Sequence, residues 1–230
     1  MCEFRNLFKA YDRLVVFDTE TTGLNFERDE IIEFAAVVIE PGEDEAQIVE
    51  QYDELVALSP VGHLPREIVE LTGITPEDLA QRGIRKDKLC EDIARLFAGN
   101  TLLIAYNAHF DLSFLYYLLF GFGDVEVLKG KDKLDLLTVY KDRHSYPHKL
   151  AHAIKTYDLE DSVVNSHRAI ADVLATCAVM AAMDREKSDL DNYVNLFGYN
   201  PRYGVSGKRI GSVTYKPQRF DPWFPLYKTK

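Results

Sequence analysis

Hydrophobic residues in the first quarter of the chain follow the pattern of β-strands. Apolar runs cover residues 13–19, 31–39 and 48–58, and polar or Pro-Gly turns separate them. Short runs rich in Val, Ile and Phe are typical of strands, and consecutive strands joined by turns commonly pair antiparallel. We therefore expect a meander of three strands at the start of the fold.

The remainder of the chain alternates between helical and strand patterns. Pro65 begins a helix that Gly73 ends, and Thr75 caps the next helix with Pro76 at its first position. Apolar residues at helical spacing over 89–97 predict an amphipathic helix. The further expected elements are a buried strand over 102–105, a weak strand before residue 135, and helices over 110–120, 135–140, 150–157, 168–183 and 187–197. This order predicts an α/β fold with a mixed sheet covered by helices.

Two acidic residues follow the first apolar run. Asp18 and Glu20 are two positions apart, so in a strand their carboxylates point to the same face. Carboxylates held side by side repel each other unless a proton or a cation neutralises them, and Mg²⁺ or Mn²⁺ prefers such oxygen ligands. The pair predicts a divalent-cation site, and the alternative is a strand end with two solvated acids.

A third acid opens the helix after the 102–105 strand. Asn107 is expected to cap this helix, which places Asp111 in the first turn, near the end of the sheet. The helix macrodipole favours an acid at that position. A purely electrostatic role in the helix is therefore the alternative to a role as a metal ligand.

The start of the long apolar helix carries the remaining candidates. Asn165 or Ser166 is expected to cap it, with His167 at its mouth and Asp172 in its second turn. A buried acid is costly unless it is paired or binds a metal. The positive end of the helix disfavours a charged imidazole and keeps it able to accept a proton. The alternative is a surface histidine and an aspartate bonded to a hydroxyl.

Together these segments resemble the DnaQ-like 3′–5′ exonucleases, in particular the DEDDh group with four acids and one histidine. The resemblance covers roughly residues 12–183 and depends on residues 18–24, 107–111 and 167–172 and on the pattern at 71–75. A related subgroup has a catalytic tyrosine where this chain has Arg168, so the histidine subgroup matches better. The family implies a ribonuclease H-like fold, with a five-stranded mixed sheet whose first three strands are antiparallel and whose later strands are parallel.

The resemblance also implies a mechanism. The four acids would hold two Mg²⁺ or Mn²⁺ ions: Asp18, Glu20, Asp111 and Asp172. His167 would take the proton from the attacking water, and a nucleoside 5′-monophosphate would leave the 3′ end. The implied substrate contacts are Thr21, Thr22, Leu24, Asn107 and Phe110, together with Glu67 and Thr72 where relatives contact the substrate end. For Leu24 and Phe110 the alternative is a place in the hydrophobic core.

The charge of the chain is distributed unevenly. The 230 residues carry a net charge of −10, yet residues 199–230 contain seven Lys or Arg and one acid, Asp221, interleaved with seven aromatic residues. We therefore expect an exonuclease domain over 1–198 and a basic, aromatic tail over 199–230. The tail can contact a single strand, pack on the domain or dock a partner, and the pattern leaves these three open.

The cysteines and the apolar runs indicate a cytoplasmic protein. Cys2, Cys90 and Cys177 form neither a metal-binding spacing nor a disulfide framework, which favours a reducing compartment. We find no signal peptide, and no run approaches the ~20 apolar residues that span a bilayer.

The histidines outside the motifs are not expected to bind a metal. His144, His148 and His152 recur every four residues, but Pro147 interrupts any helix that would align them. His109 is expected to be a polar surface residue.

The sequence therefore predicts a metal-dependent 3′–5′ exonuclease of the proofreading or repair type that acts on single-stranded or frayed 3′ ends. DNA is favoured as the substrate, a DNA polymerase subunit is the candidate protein partner, and no membrane association is expected. Two alternatives stay open: an exoribonuclease that trims RNA ends, and an inactive nucleic-acid-binding or polymerase-docking module. The complete set of acids and histidine argues against the inactive module.

Overall fold

A five-stranded mixed sheet forms the centre of the computed structural model, which describes residues 4–163, 166–198 and 213–228. The strands are Arg13–Thr21 (β1), Ile31–Pro41 (β2), Ala46–Leu55 (β3), Thr101–Ala105 (β4) and Asp132–Asp135 (β5). They lie in the order β3-β2-β1-β4-β5. The first three pair antiparallel, whereas β4 is parallel to β1 and β5 is parallel to β4. The predicted ribonuclease H-like sheet is confirmed.

Helices flank this sheet in the described part of the chain. They are Arg66–Thr72 (α1), Pro76–Arg82 (α2), Lys86–Leu96 (α3), Ala108–Phe122 (α4), Leu136–Arg143 (α5), Leu150–Thr156 (α6) and Ala169–Glu186 (α7). Gly73 ends α1 with a φ of 72°, and Thr75 caps α2 through a capping box with Asp78, as the sequence predicts. None of the described helices has both the length and the apolar character that crossing a bilayer requires.

Strand β1 contributes to a hydrophobic core on each face of the sheet. Leu14 and Val16 pack in the core that includes the apolar residues of α7, and Val15 and Phe17 pack in the core that includes those of α3 and α4. Because β1 and β4 are parallel, their carboxyl ends lie at the same edge of the sheet. This edge brings the acids near the carboxyl end of β1, Asp18 and Glu20, close to the start of α4.

The predicted helix over 187–197 is wrong. The structure has these elements instead: a 3₁₀ turn at Leu190–Tyr193, strand β6 at Leu196–Gly198 and strand β7 at Thr214–Lys216, with β6 and β7 parallel. The N–H of Asn195 donates to the backbone oxygen of Lys133 at 2.7 Å, and its side-chain oxygen accepts from the Lys133 N–H at 3.0 Å. These contacts with β5 override the local helical pattern.

The predicted cap of the long helix also differs. Asn165 lies outside the described residues, and α7 begins one residue after Arg168, which occupies the cap position without a side-chain capping bond. Asp172 consequently lies in the first turn of α7 rather than in the second. His167 still precedes the helix directly.

The described part of the predicted tail packs against the body of the protein. Leu226 is buried, and Tyr215 on β7 contacts the ring of His109 with a centroid distance of 4.9 Å. His109 is itself buried, so its predicted surface position is wrong, because β6 and β7 cover this part of α4. Residues 199–212 lie outside the described residues, and the boundary at residue 198 stays a prediction.

Candidate active site

Strand β1 carries two acids to the edge of the sheet. Asp18 pairs with Ala35 of β2 and Glu20 pairs with Glu33, and the register shifts directly after Glu20. Such irregularities recur where a strand ends beside an active site. Asp18 and Glu20 line the same cleft, as their spacing predicts.

Helix α4 carries the third acid, Asp111, which is hydrogen-bonded to β1. The Asp111 Oδ1 accepts hydrogen bonds from the backbone N–H of Thr19 at 3.0 Å and from its hydroxyl at 2.7 Å. Asn107 precedes the helix with a φ of 73°, in the left-handed region that asparagine tolerates better than most residues. The Asp135 Oδ1 accepts from the N–H of Asn107 at 3.0 Å and of Ala108 at 3.1 Å. These bonds fix Asp111 against β1.

Helix α7 adds the fourth acid and the histidine. The buried Glu33 accepts from the backbone N–H of Ala169 and from the Nε of Arg168, both at 2.8 Å, and so holds the start of the helix against β2. His167 has a φ of 52°, which L-residues adopt at a cost of about 1–3 kcal/mol. One ligand atom from each of Glu20, His167 and Asp172 lies within 4.8 Å of the others.

The four acids and the histidine line one cleft of about 620 Å³. The same lining includes three of the predicted substrate residues, Leu24, Asn107 and Phe110. Leu24 is 56% exposed, which does not fit the alternative of a core residue. The structure thus brings together residues that are up to 154 positions apart in the chain.

The other predicted substrate residues do not line this cleft: Thr21, Thr22, Glu67 and Thr72. The Thr21 hydroxyl donates to the backbone oxygen of Gly23 at 2.6 Å, and the buried Thr72 hydroxyl donates to that of Ile68 at 2.8 Å. Glu67 is exposed on α1. Their contact with a substrate stays a prediction.

Burial raises the pKa of each carboxyl group in the cleft. The pKa of Asp18 lies well above its ordinary value, because the charges of Asp111 and Glu20 reinforce the effect of burial. Burial and the charge of Asp172 raise the pKa of Glu20 to about 8. Burial raises the pKa of Asp111 to about 7 against its hydrogen bonds, and that of Asp172 to about 6 against the charge of His167. Without a cation, protons therefore neutralise part of the cluster near pH 7.

The donor set of the cleft fits divalent cations. Its four acids offer the oxygen ligands that Mg²⁺ and Mn²⁺ prefer. The Asp172 Oδ1 is buried and has no hydrogen-bond partner among the described residues. A buried carboxylate oxygen in this state is costly unless it is protonated or a cation binds it. His167 is close enough to Glu20 and Asp172 to reach such a cation or a water beside it.

Sequence reasoning predicts Asp135 as a cap at the turn from β5 into α5, which the structure confirms, but it missed two other roles: Glu33 at the start of α7 and Asp135 at the start of α4. Glu33 is the single acid inside the apolar run 31–39, a signal that could have identified a buried ion pair. Asp135 also caps α5 by accepting from the N–H of Leu137 at 3.2 Å. Its second role at the start of α4 depends on how β4 and β5 pair, and no local pattern shows this.

A mixed sheet in this order, with acids from β1, α4 and α7 at the tip of its central strand, is the arrangement of the ribonuclease H-like fold. The family model RNase_T, described as an exonuclease, matches residues 15–180. The chain belongs to this exonuclease family, and the resemblance to DnaQ-like exonucleases is confirmed.

Sequence relatives include PolC-type DNA polymerases III. Those of Halalkalibacterium halodurans and Bacillus subtilis are each 35% identical over 181 residues, which cover 77% and 76% of this chain. The matched part is 12% of the length of each of these polymerases. The similarity therefore concerns one segment of a much larger protein.

Solved structures of Escherichia coli Exonuclease I share the fold. The complex with a dA16 oligonucleotide superposes with a TM-score of 0.67 at 21% identity and covers 79% of this chain and 42% of its own. The zinc-bound form of the complex with single-stranded DNA has a TM-score of 0.69 at 24% identity, with 80% and 42% covered. At this identity the comparison supports the fold alone.

Proposed function

We propose that this protein is a metal-dependent 3′–5′ exonuclease that releases nucleoside 5′-monophosphates from single-stranded or frayed 3′ ends of DNA. The observation that carries this proposal is the convergence of four carboxylates and an imidazole in one cleft. DNA is favoured because the sequence relatives are DNA polymerases and the structural neighbours were solved with deoxyoligonucleotides.

The cleft would hold two Mg²⁺ or Mn²⁺ ions through Asp18, Glu20, Asp111 and Asp172. When bound, these ions would supply Lewis-acid activation of water and would stabilise the leaving 3′ oxygen. The unpartnered Asp172 Oδ1 supports such a role for that residue. Asp111 reaches the cleft with one oxygen already bonded to Thr19, which fixes the orientation of the other.

His167 would act as the general base. It is exposed at the rim of the cleft and belongs to no helix or strand, so its ring can approach a water that attacks the terminal phosphodiester. A positioned base of this kind contributes about 10²–10⁴ in rate. The nearby Glu20 and Asp172 stabilise the imidazolium that forms when the proton is taken.

Leu24 and Phe110 would hold the 3′-terminal nucleotide from the apolar side of the cleft, and Asn107 would line the groove beside it. Backbone groups near Thr21 and Thr22 would hold the 3′ hydroxyl, and Glu67 and Thr72 would contact the substrate end. Apolar and stacking contacts tolerate any base, which supports removal of nucleotides without sequence preference.

A DNA polymerase is the proposed partner, because the matched relatives carry this segment within a polymerase chain. The cytoplasmic location that the cysteine pattern favours is part of the same proposal. Co-purification of the full chain with a replicative polymerase tests the partner.

The decisive experiment is digestion of 3′-labelled and 5′-labelled oligomers of DNA and RNA with Mg²⁺, Mn²⁺ or a chelator. We expect mononucleotides from the 3′ end of single-stranded DNA with either cation and none with the chelator, and Asp18→Asn serves as the inactive control. Release of mononucleotides from RNA alone would support the exoribonuclease instead. An intact protein that releases no mononucleotide under any of these conditions would contradict the proposal.

A further inference from the structure

A second cavity, the basic groove, opens beside the candidate active-site cleft. It has a volume of about 560 Å³, and its lining includes the polar and aromatic residues Tyr106, Lys141, Tyr146, His148, Lys149 and His152. Tyr106 and Lys149 line the cleft as well, as do Asn107 and Leu150. The groove and the cleft are therefore adjacent, and a chain molecule that ends in the cleft is within reach of the groove.

The charge of the basic groove is opposite to that of its neighbour. Two lysines and two histidines line it, and no Asp or Glu does so among the described residues. Four other cavities in the described ranges each contain at least one carboxylate. Because the whole chain carries a net charge of −10, this local group of cations stands out from an acidic surface.

The basic groove also presents aromatic rings. Tyr146 is 84% exposed, and its ring contacts that of His148 edge-on with a centroid distance of 5.7 Å. The Tyr106 hydroxyl donates to the backbone oxygen of His148 at 2.8 Å, which fixes the loop that carries both rings. An exposed ring on a fixed loop beside lysines is the combination that binds single-stranded nucleic acid, by stacking on bases and pairing with phosphates.

The histidines of this region do not form a metal site. His144 Nε2 lies 3.0 Å from the Tyr157 hydroxyl, and His148 Nε2 lies 3.0 Å from the backbone oxygen of His144. The described residues contain one cluster of ligand atoms suited to a metal, and it is in the cleft. The two lysines of the groove therefore suit an anionic ligand rather than a metal.

We propose that the basic groove binds the single-stranded DNA immediately 5′ of the nucleotide that occupies the cleft. Lys141 and Lys149 contact its phosphates, and Tyr146 stacks on one of its bases. This inference rests on the proposed function, because that function places the 3′ end in the cleft. It adds a site that holds the strand between successive cleavages.

The first test separates the groove from the cleft by substrate length. The Lys141→Glu variant and the wild type are assayed on two substrates. One is a 20-nucleotide oligothymidylate, and the other is the p-nitrophenyl ester of thymidine 5′-monophosphate, which is small enough to occupy the cleft alone. Lys141 lines the groove but not the cleft. We expect KM for the oligomer to rise about tenfold, with hydrolysis of the ester unchanged. Lys155→Glu, an exposed change of the same charge on α6 outside the groove, should alter KM by less than twofold.

The second test measures binding without hydrolysis. Fluorescence anisotropy of the labelled oligomer in chelator should show about tenfold weaker binding for Tyr146→Ser and no change for Phe120→Ser, an exposed ring on α4. The logarithm of the binding constant falls as the logarithm of the salt concentration rises. Lys141→Glu should make this negative slope shallower by about 0.7, the value for one phosphate contact on a single strand.

Three results would overturn the inference. The groove variants, Lys141→Glu and Tyr146→Ser, could change KM or binding no more than their controls do. Lys141→Glu could reduce hydrolysis of the ester as much as that of the oligomer, or neither groove variant could weaken binding of the oligomer. Failure of the proposed function has a different signature. In that case the wild type hydrolyses neither substrate, while oligomer binding in chelator still depends on Lys141 and Tyr146.

Discussion

The helices that carry Asp111 and Asp172 begin at the same edge of the sheet but are fixed in different ways. Helix α4 follows β4 after two residues, and Asp111 accepts two hydrogen bonds from Thr19 of β1. Helix α7 follows a long loop, and Asp172 keeps an oxygen without a hydrogen-bond partner among the described residues. On the α4 side of the cleft, hydrogen bonds within the protein already fix the carboxylate, whereas on the α7 side one carboxylate oxygen can still bind a ligand.

Both helix starts nevertheless use the same device, a carboxylate from a neighbouring strand. Asp135 binds the first N–H groups of α4, and Glu33 binds the first N–H of α7 together with the Arg168 side chain. A negative charge at a helix N-terminus is stabilising. At the start of α7, beside His167 and Asp172, these bonds come from the single carboxylate of Glu33, whereas α4 is held both by Asp135 and by the bonds between Asp111 and Thr19.

The largest expected effect tests the α7 side directly. His167→Ala should lower turnover of a 3′-labelled oligomer by about 10²–10⁴, because the proton acceptor is lost. The melting temperature should not change, since the side chain is exposed. His63→Ala, exposed elsewhere, is the control. Full activity in the His167 variant would remove the histidine from the mechanism, and a shifted Mn²⁺ requirement would show that it is also a ligand.

Loss of the ion pair between Glu33 and Arg168 should have the second largest effect. Glu33→Gln removes the charge that Arg168 requires, and we expect the free energy of unfolding to fall by about 3 kcal/mol, since Glu33 is fully buried while Arg168 is partly exposed. The melting temperature should fall by about 6–12 °C, and kcat should fall with it.

Glu40→Gln is the matched control for this change. Glu40 lies on β2, as Glu33 does, and its partly exposed side chain pairs with Arg13 of β1, so its loss should lower the free energy of unfolding by less than about 1 kcal/mol. Equal stability of the Glu33 and Glu40 variants in thermal denaturation would show that Glu33 does not hold α7.

The buried carboxyl groups of the cleft should also make the metal-free protein sensitive to pH, and Glu20 of β1 shows the sign of the effect. The pKa of Glu20 is about 8 in the folded protein and near its ordinary value of 4.5 in the unfolded chain. The folded state therefore binds more protons between these values, so stability falls as pH rises from about 4 to about 8. In chelator at pH 8, Glu20→Gln should raise the melting temperature by about 2–8 °C.

Added Mg²⁺ should stabilise the wild type at pH 8 far more than the Glu20 variant, because the cation replaces the protons. Thermal denaturation in chelator at pH 5 and pH 8 checks the sign. A wild-type protein that is as stable at pH 8 as at pH 5 would show that burial and the charge of Asp172 do not raise the pKa of Glu20.

The smallest expected effect concerns Leu24, which lines the cleft with both Asp111 and Asp172. Leu24→Ala should change stability by less than about 0.5 kcal/mol, because the side chain is largely exposed. It should raise KM for an oligomer about fivefold to tenfold through lost apolar contact, roughly 1 kcal/mol. Leu71→Ala, similarly exposed on α1, is the control in the same assay. Equal KM values for the two variants would exclude Leu24 from substrate binding.

Much of the fold and of the candidate site is local in origin and could be predicted. The strand alternation at Asp18 and Glu20, the apolar run before Asn107 and the capping at Thr75 each depend on a few neighbouring residues. The spacing of the motifs and the family resemblance predict the five candidate site residues, and the structure gathers them in one cleft.

The features that sequence reasoning missed depend on contacts between distant segments. Strand β6 begins directly after Asn195, which bonds to Lys133, 62 positions away. His109 is buried because β6 and β7 cover it, and the buried Glu33 has an ion-pair partner because Arg168 reaches it across 135 positions. No local pattern contains such partners.

The hydrogen bond between Thr19 and Asp111 joins residues 92 positions apart, so during synthesis of the protein it can form only after residue 111 has been added. The hairpins of β1, β2 and β3 need only residues 13–55, so they can form while the chain is still leaving the ribosome. The cleft is complete only after residue 172 has been made. Under the proposed function, a partly translated copy is therefore harmless to nucleic acid, and the hydrolytic capacity arises when the last contributing helix docks.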